Sequence, residues 1–203
     1  MRRDELTELH YIVPIENVPS ILAHGLLSHR RVDNLPHKPR SVAMPEMQDR
    51  RQNVRLPTGR HLHEYVNLYF HARNPMMYKR KDLHQELCVI RISTDVLDIP
   101  GTIITDRNAG ADYPRFYRSP AGLVYLDHDM VFAEDWRHPG DKRAYWNHKA
   151  IKCAEVLVPD SVGPEYIQGA YVSCKQAKAN LLRVGGQVVG EIDGHMFFQS
   201  GGR

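Results

Sequence analysis

Lys149-Ala-Ile-Lys-Cys-Ala-Glu-Val-Leu-Val-Pro-Asp160 is the stretch on which the reading of the fold turns. Val156, Leu157 and Val158 are consecutive β-formers and Pro159-Asp160 ends the run as a turn, so the segment reads as a buried strand with one carboxylate, Glu155, at its mouth. A glutamate there loses hydration and must be paired, protonated or used on a ligand. The competing reading is an ordinary edge-strand glutamate facing water, and this stretch alone does not separate the two.

Working outward, the chain supplies other short strands and helices. Residues 6–13 read as a first strand carrying His10 and Tyr11 and stopped by Pro14; a helix follows with Val18, Ile21, Leu22 and Leu26 at helical spacing, Asn17 as cap and Gly25 at its end. Residues 28–60 hold four prolines and no sustained periodicity, the mark of a long functional or disordered loop. Residues 65–70 alternate as a strand, 72–78 form a turn and short helix, and 87–92 form a strand with Cys88, Ile90 and Ile92 on one face. Residues 95–97 read as a helical turn, 102–105 as a brief strand and 106–111 as a loop, while 130–152 are polar and mixed. The tail offers a strand at 166–172, a helix at 174–182, and 187–189 with 196–198 as a closing hairpin or edge. Strands and helices mix without regular βα alternation, so the expected class is α+β.

The 203 residues suit one domain, 42% hydrophobic and 25% charged residues are ordinary for a soluble globular protein, and no apolar run approaches membrane-spanning length. The N-terminus lacks the apolar core of a signal peptide, and Cys88, Cys153 and Cys174 are widely spaced, so a reduced cytoplasmic compartment is expected. The net charge of +3 argues little by its sum, but residues 29–60 carry eight Lys/Arg against three acids. A second basic cluster is Arg137, Lys142, Arg143, Lys149 and Lys152 against Asp141. Convergent, the two segments would track phosphates; taken singly, each reads as solvated charge.

Several chemistries are disfavoured. His61-Leu-His63 could place two imidazoles on one strand face, but no His-Glu-x-x-His run or paired cysteine motif accompanies it in a chain with twelve histidines, so no metal is expected. Cys153 lies on the side of Glu155 and lines the same site, yet nothing specifies a base that would make it a nucleophile. Gly185-Gly186-Gln-Val-Val-Gly190 lacks the spacing and following helix of a Rossmann turn. Tyr65, Tyr69, Phe70, Met76, Met77 and Tyr78 could stack a planar ring, with core packing the default for such residues.

Taken together, His10-Tyr11 with the Ile15–Leu26 segment, Glu64-Tyr-Val-Asn-Leu-Tyr-Phe-His-Ala-Arg-Asn-Pro-Met-Met-Tyr78, Asp106-Arg-Asn-Ala109 and Cys153-Ala-Glu-Val-Leu-Val158 resemble the DarT family of DNA ADP-ribosyltransferase toxins over roughly residues 8–175. The resemblance implies the ADP-ribosyltransferase fold, a split, twisted antiparallel β-core that clamps NAD without a Rossmann domain, here a single domain over 1–203. It implies Glu155 as the catalytic glutamate and Arg51 as the arginine at the reacting centre, with Arg50 adjacent. His10 would hold a ribose of NAD, Asn17 and Gly25 would shape the adjoining helix, and Tyr65, Tyr69 and Phe70 would line the nicotinamide pocket with Arg73 and Met77 close by. Residues 138–154 correspond to a loop presenting the acceptor, with Arg55, Lys149, Lys152 and Cys153 on the acceptor side; Cys153 departs from the glutamine of many relatives.

The implied function is NAD-dependent modification of a base in single-stranded DNA, thymine before guanine, by a toxin restrained by a macrodomain antitoxin. Two rivals remain at this stage: the same fold acting on RNA, protein or a small molecule, and a non-catalytic nucleic-acid-binding module.

Overall fold

A computed structural model describes residues 1–35, 38–42, 45–185 and 188–199. In chain order the elements are β1 (Leu9–Pro14), α1 (Val18–His24), β2 (Leu26–Leu27), α2 (His29–Val32), α3 (Pro45–Gln52), β3 (Tyr65–Tyr69), α4 (Pro75–Arg80), β4 (Leu87–Ile92), β5 (Ile103–Thr105) and β6 (Phe116–Arg118). They continue with α5 (His128–Phe132), α6 (Lys142–Ile151), β7 (Glu155–Pro159), β8 (Ser161–Val162), β9 (Ile167–Val172), α7 (Lys175–Gly185) and β10 (Gly190–Ile192).

The main sheet runs β10-β9-β4-β1-β3-β7-β5-β6, antiparallel at every junction except β10 with β9. It is two four-stranded halves. β1 pairs with β4 along its whole length, and β3 with β7 from Tyr65↔Pro159 to Tyr69↔Glu155, but β1 and β3 meet at His10↔Tyr69 alone. Beyond that joint the two strands stop pairing, and Tyr11–Pro14 of one and Tyr65–Tyr69 of the other contribute to opposite walls of a cleft.

Alternation along the strands decides what faces what. Val66, Leu68, Phe70, Val156 and Val158 enter the main core with Leu9, Ile90 and Val172, under a cover of Val18 and Ile21 from α1 and Ala177 and Leu181 from α7. Tyr69 and Cys153 belong to a second cluster with Ile12, Met77, Val89 and Phe197, and Tyr65 and Leu157 to a third with Leu56, Leu62 and Ile103. Each fully buried valine or leucine is worth roughly 1.5–3 kcal/mol over exposure, so the register of β7 is firm: a one-residue slip would drive Glu155 into the main core.

Gly25 ends α1 at φ +75, where an added Cβ would lie 2.2 Å from the Val162 carbonyl oxygen. Only glycine fits there, and the tight passage lets β2 pair with β8. Asn17 precedes α1 at the cap position, but its side chain makes no capping bond and is used elsewhere.

The structure departs from the sequence reading at Leu26, which lies in β2 and not on the helix before it, at 116–118, which form β6, and in three longer stretches. The 28–60 stretch contains α2 and α3, and the polar 130–152 stretch contains the end of α5 and all of α6. α3, Pro-Glu-Met-Gln-Asp-Arg-Arg-Gln, has almost no apolar residue to make a periodic face; α6 is marked by its cap, Asp141, which accepts the Ala144 N–H at 2.9 Å. Of the expected closing hairpin or edge, the described residues show an edge strand, β10, just after 187–189, and no hairpin. Gln187 lies outside them, β10 pairs parallel with β9, and Met196 and Phe197 are buried in a run of turns. No helix among the described residues is long and apolar enough to cross a membrane.

Candidate active site

Glu155 opens β7 and is wholly buried. Its backbone N–H donates to Thr105 Oγ1 at 3.0 Å, and that hydroxyl donates in turn to the Arg107 carbonyl at 2.5 Å. One threonine on β5 therefore ties the strand mouth to the start of the 106–113 loop. The loop returns the contact: the Ala109 N–H donates to Glu155 Oε2 at 3.2 Å. Arg51, near the end of α3, places Nη1 3.0 Å from Oε1 and 3.1 Å from Oε2.

Burial pushes the Glu155 carboxyl above its ordinary range, and the Arg51 charge and the Ala109 N–H pull against that shift without cancelling it. Removing either partner would leave a buried carboxylate short of compensation, which is the costly case for charges in a protein interior. Arg51 itself lines the cleft, so the guanidinium is the face that this ion pair turns to a ligand.

The cleft has a volume of about 900 Å³, at the upper end of small-molecule sites. Tyr69, opposite Glu155 across the β3–β7 pair, has its hydroxyl pKa raised well above normal by burial and then by the Glu155 charge. The Tyr65 hydroxyl meets Thr58 Oγ1 at 2.9 Å, and the Arg60 guanidinium carbon stands 5.2 Å from its ring centroid. His63 stacks on His29 with centroids 4.3 Å apart, and burial, then His29 and Arg51, lower its pKa to about 4. That imidazole is neutral at pH 7. Among the described residues no cluster of three or more His, Cys, Asp or Glu could hold a metal ion.

The segment 38–42 lines the cleft and is tethered to the elements around it. Asn17 donates to the Arg40 carbonyl at 2.7 Å and accepts the Arg40 N–H at 3.2 Å, the Arg40 guanidinium reaches Glu86 at 2.6 Å, and Arg80 donates to the Val42 carbonyl at 2.7 Å. This explains why Asn17 does not cap α1.

Of the residues singled out from the sequence, the structure brings Glu155 and Arg51 into contact and sets Asn17, Arg50, Tyr65, Tyr69, Lys149 and Cys153 on the cleft wall. Burial, and then the nearby Glu155 charge, push the Cys153 thiol up to about 12, so it is no nucleophile at neutral pH.

Other expected residues fall elsewhere. His10 does not line the cleft: its Nδ1 accepts the Ala72 N–H at 3.0 Å, so Nε2 carries the proton and donates to Glu8 at 3.0 Å. Its neighbour Tyr11 lines the cleft instead. Phe70, adjacent to Tyr69, points by strand alternation into the main core, and Met77 is fully buried while Met76 lines the cleft. Gly25 shapes the β2–β8 contact outside the main cleft. Arg73 lies against Phe198, with its guanidinium carbon 4.0 Å from the ring centroid, and donates to the His195 carbonyl. Arg55 donates to the Gly59 carbonyl at 3.3 Å, away from the wall. Lys152 is 1% exposed, with Nζ 2.7 Å from His71 Nδ1 and 2.8 Å from the Val131 carbonyl. Its ammonium is turned to these two interior partners.

Tyr11, Arg107, Tyr113 and Trp146 line the cleft and were not singled out as site residues. For Trp146 a signal existed: Arg143, Trp146, Asn147 and Ala150 recur at helical spacing on α6, and all four line the cleft.

A split antiparallel sheet, with a buried glutamate at the mouth of a central strand and an arginine paired to it, defines a class of site rather than one protein. The comparisons narrow it. The family model described as ssDNA thymidine ADP-ribosyltransferase, DarT, matches residues 10–198, and the chain belongs to the DarT family. It is 32% identical over 183 residues to a DNA ADP-ribosyl transferase–DNA ADP-ribosyl glycohydrolase fusion protein of Thermosipho africanus, covering 87% of this chain and 45% of that protein. It is 30% identical over 151 residues to a DNA ADP-ribosyl transferase of Thermus sp. 2.9, covering 68% of this chain and 71% of the relative. Among solved structures, Thermosipho africanus DarTG in complex with ADP-ribose superposes with a TM-score of 0.82 at 28% identity, over 95% of this chain and 51% of that one. Thermus sp. 2.9 DarT in complex with ADP-ribosylated ssDNA gives 0.81 at 25% identity, over 96% and 97%. The chain thus spans about half the length of the Thermosipho protein and nearly all of the Thermus one.

Proposed function

We propose that this chain is a single ADP-ribosyltransferase domain over residues 1–203 that transfers ADP-ribose from NAD to a base, thymine first, in single-stranded DNA, releasing nicotinamide. The observation that carries the reading is the Arg51–Glu155 pair, closed by the Ala109 N–H: Arg51 lines a cleft large enough for a dinucleotide, and Glu155 lies fully buried directly behind it. The Thermus relative of the same fold is described with ADP-ribosylated ssDNA.

NAD supplies the electrophile, since loss of nicotinamide develops positive charge on the adjoining ribose carbon. Glu155 supplies a carboxylate that is already desolvated and oriented, and such preorganised charge is worth most where water is excluded. Tyr65 and Tyr69 offer ring faces on the cleft wall, and Arg50 with Arg51 offers positive charge to phosphates. As the base nitrogen bonds to the ribose carbon its proton must leave, and a carboxylate with a raised pKa is suited to accept it.

A toxin role, with a macrodomain antitoxin that removes the mark, fits the Thermosipho relative, in which a transferase and a DNA ADP-ribosyl glycohydrolase are fused. Action in the cytoplasm fits the same reading.

The test is intact mass spectrometry of mixed-sequence single-stranded DNA after incubation with protein and NAD. The expected outcome is a gain of one ADP-ribose on thymine, reduced by roughly a hundredfold or more in rate for Glu155→Gln. Consumption of NAD without a mark on DNA would move the acceptor to RNA, protein or a small molecule; survival of NAD would end the enzyme reading.

A further inference from the structure

Tyr113 and Trp146 line the cleft yet remain 91% and 60% exposed. Large aromatic side chains left in water at the edge of a site call for a partner. Tyr113 also holds φ at +55, a left-handed backbone that bulky residues rarely adopt.

The two residues belong to separate segments that are fastened together. Arg107 of the 106–113 loop donates to Asn147 Oδ1 of α6 at 3.3 Å, and the Asn108 N–H donates to the Ala150 carbonyl at 3.0 Å. The same loop holds Glu155 through Ala109. Both exposed rings therefore stand on one unit whose inner end grips the proposed catalytic carboxylate.

The charge around them suits a polyanion. Arg143 and Lys149 line the same rim, and the Lys149 ammonium sits 4.4 Å from the Trp146 ring centroid and 5.4 Å from that of Tyr145. Against them stand Asp106, which is paired with Arg107 at 3.1 Å, and Asp112. Stacked rings beside mobile cations are how proteins hold unpaired nucleobases, because every base has a π-face while the phosphates need only positive charge.

We propose that Trp146 and Tyr113 form a stacking platform for the bases flanking the modified one, with Arg143 and Lys149 on the intervening phosphates, so that this rim sets the sequence context of the reaction. This rests on single-stranded DNA being the acceptor. The inner cleft, lined by Tyr65, Tyr69 and Arg51, then serves NAD and the target base, and the rim serves their neighbours. Loss of one stacked base costs roughly five- to 150-fold in affinity.

The chain has two tryptophans, and Trp136 is only 7% exposed, so quenching of emission by an oligonucleotide reports on Trp146. Titration with a short single-stranded oligonucleotide should quench the wild type. Trp146→Ala and Tyr113→Ala should weaken binding of a labelled oligonucleotide by roughly tenfold, with Trp146→Phe and Tyr113→Phe recovering most of it. With NAD present, the alanine variants should raise KM for DNA more than KM for NAD and should flatten the preference among flanking bases. Alanine variants that bind and discriminate like the wild type would overturn the platform, as would phenylalanine variants no better than alanine. If the wild type consumes NAD but leaves DNA unmarked, the acceptor reading fails and the titration alone decides: quenching upholds a nucleobase platform, and its absence removes it.

Discussion

Glu155 and Arg51 carry the site as a pair, and each explains the other. Burial raises the Glu155 carboxyl above its ordinary range, and the Arg51 charge limits that shift. Without that charge the carboxyl holds its proton to higher pH, so in Arg51→Ala the acid limb of the pH–rate profile should move upward, with Arg51→Lys in between. An unmoved limb would mean that a different group titrates in the reaction. At this scale the sequence was partly readable. A lone carboxylate in a valine-rich run announces itself, whereas its partner comes from a segment 104 residues away that shows no pattern. Which of His10 and Tyr11 lines the cleft is a matter of strand face, which a lone dipeptide does not settle, and the same holds for Tyr69 and Phe70.

At the scale of elements, α6 is held to α5 by two side chains one turn apart: His148 Nε2 lies 3.0 Å from the Met130 carbonyl and Lys152 Nζ 2.8 Å from that of Val131. Lys152 also meets His71 beyond the end of β3, so one ammonium joins α5, the end of α6 and the segment after β3. Burial lowers its pKa from 10.5 to about 8, despite the opposing influence of Cys153 and Glu134. His71, pushed to about 3 by burial and then by Lys152, is the neutral acceptor of that pair. Between pH 8 and 10.5 the unfolded chain binds the lysine proton more than the folded one does, so Lys152 contributes stability that rises with pH across that window, by roughly 3 kcal/mol, while the thiols of Cys88 and Cys153, pushed up to about 12 by burial, contribute in the opposite direction above pH 9. Thermal melts of wild type and Lys152→Met over this range check it: the wild type should gain on the variant as pH rises, and parallel curves would refute the assignment. From sequence Lys152 was one more member of a basic cluster, because charge is visible there and burial is not.

At the scale of the molecule, the cleft depends on the end of the chain. Phe197 is fully buried in the cluster that also holds Tyr69 and Cys153, two residues of the cleft wall. Arg73, lying against Phe198, and Glu134, 2.9 Å from His195, fasten the same segment from outside. Removing a buried phenylalanine costs about 3–5 kcal/mol, so Phe197→Ala should lower the melting temperature and, through Tyr69, weaken NAD binding. Loss of stability with NAD affinity intact would show that the segment only packs.

What the sequence determined by itself is what is local: the strands with alternating or continuous apolar residues, the helix before Gly25, the α+β class and Glu155 as the anomalous carboxylate. Its resemblance to a family added Arg51. Only the tertiary structure decided that β1 and β3 meet at a single residue pair and open a cleft beyond it, that Lys152 is buried while Trp146 is exposed, and that the chain's end supports the cleft wall. The physical reason is range. Periodicity and capping act over a few residues, whereas burial, pairing of distant charges and the parting of two strands depend on which segments far apart in the chain compete for the same interior.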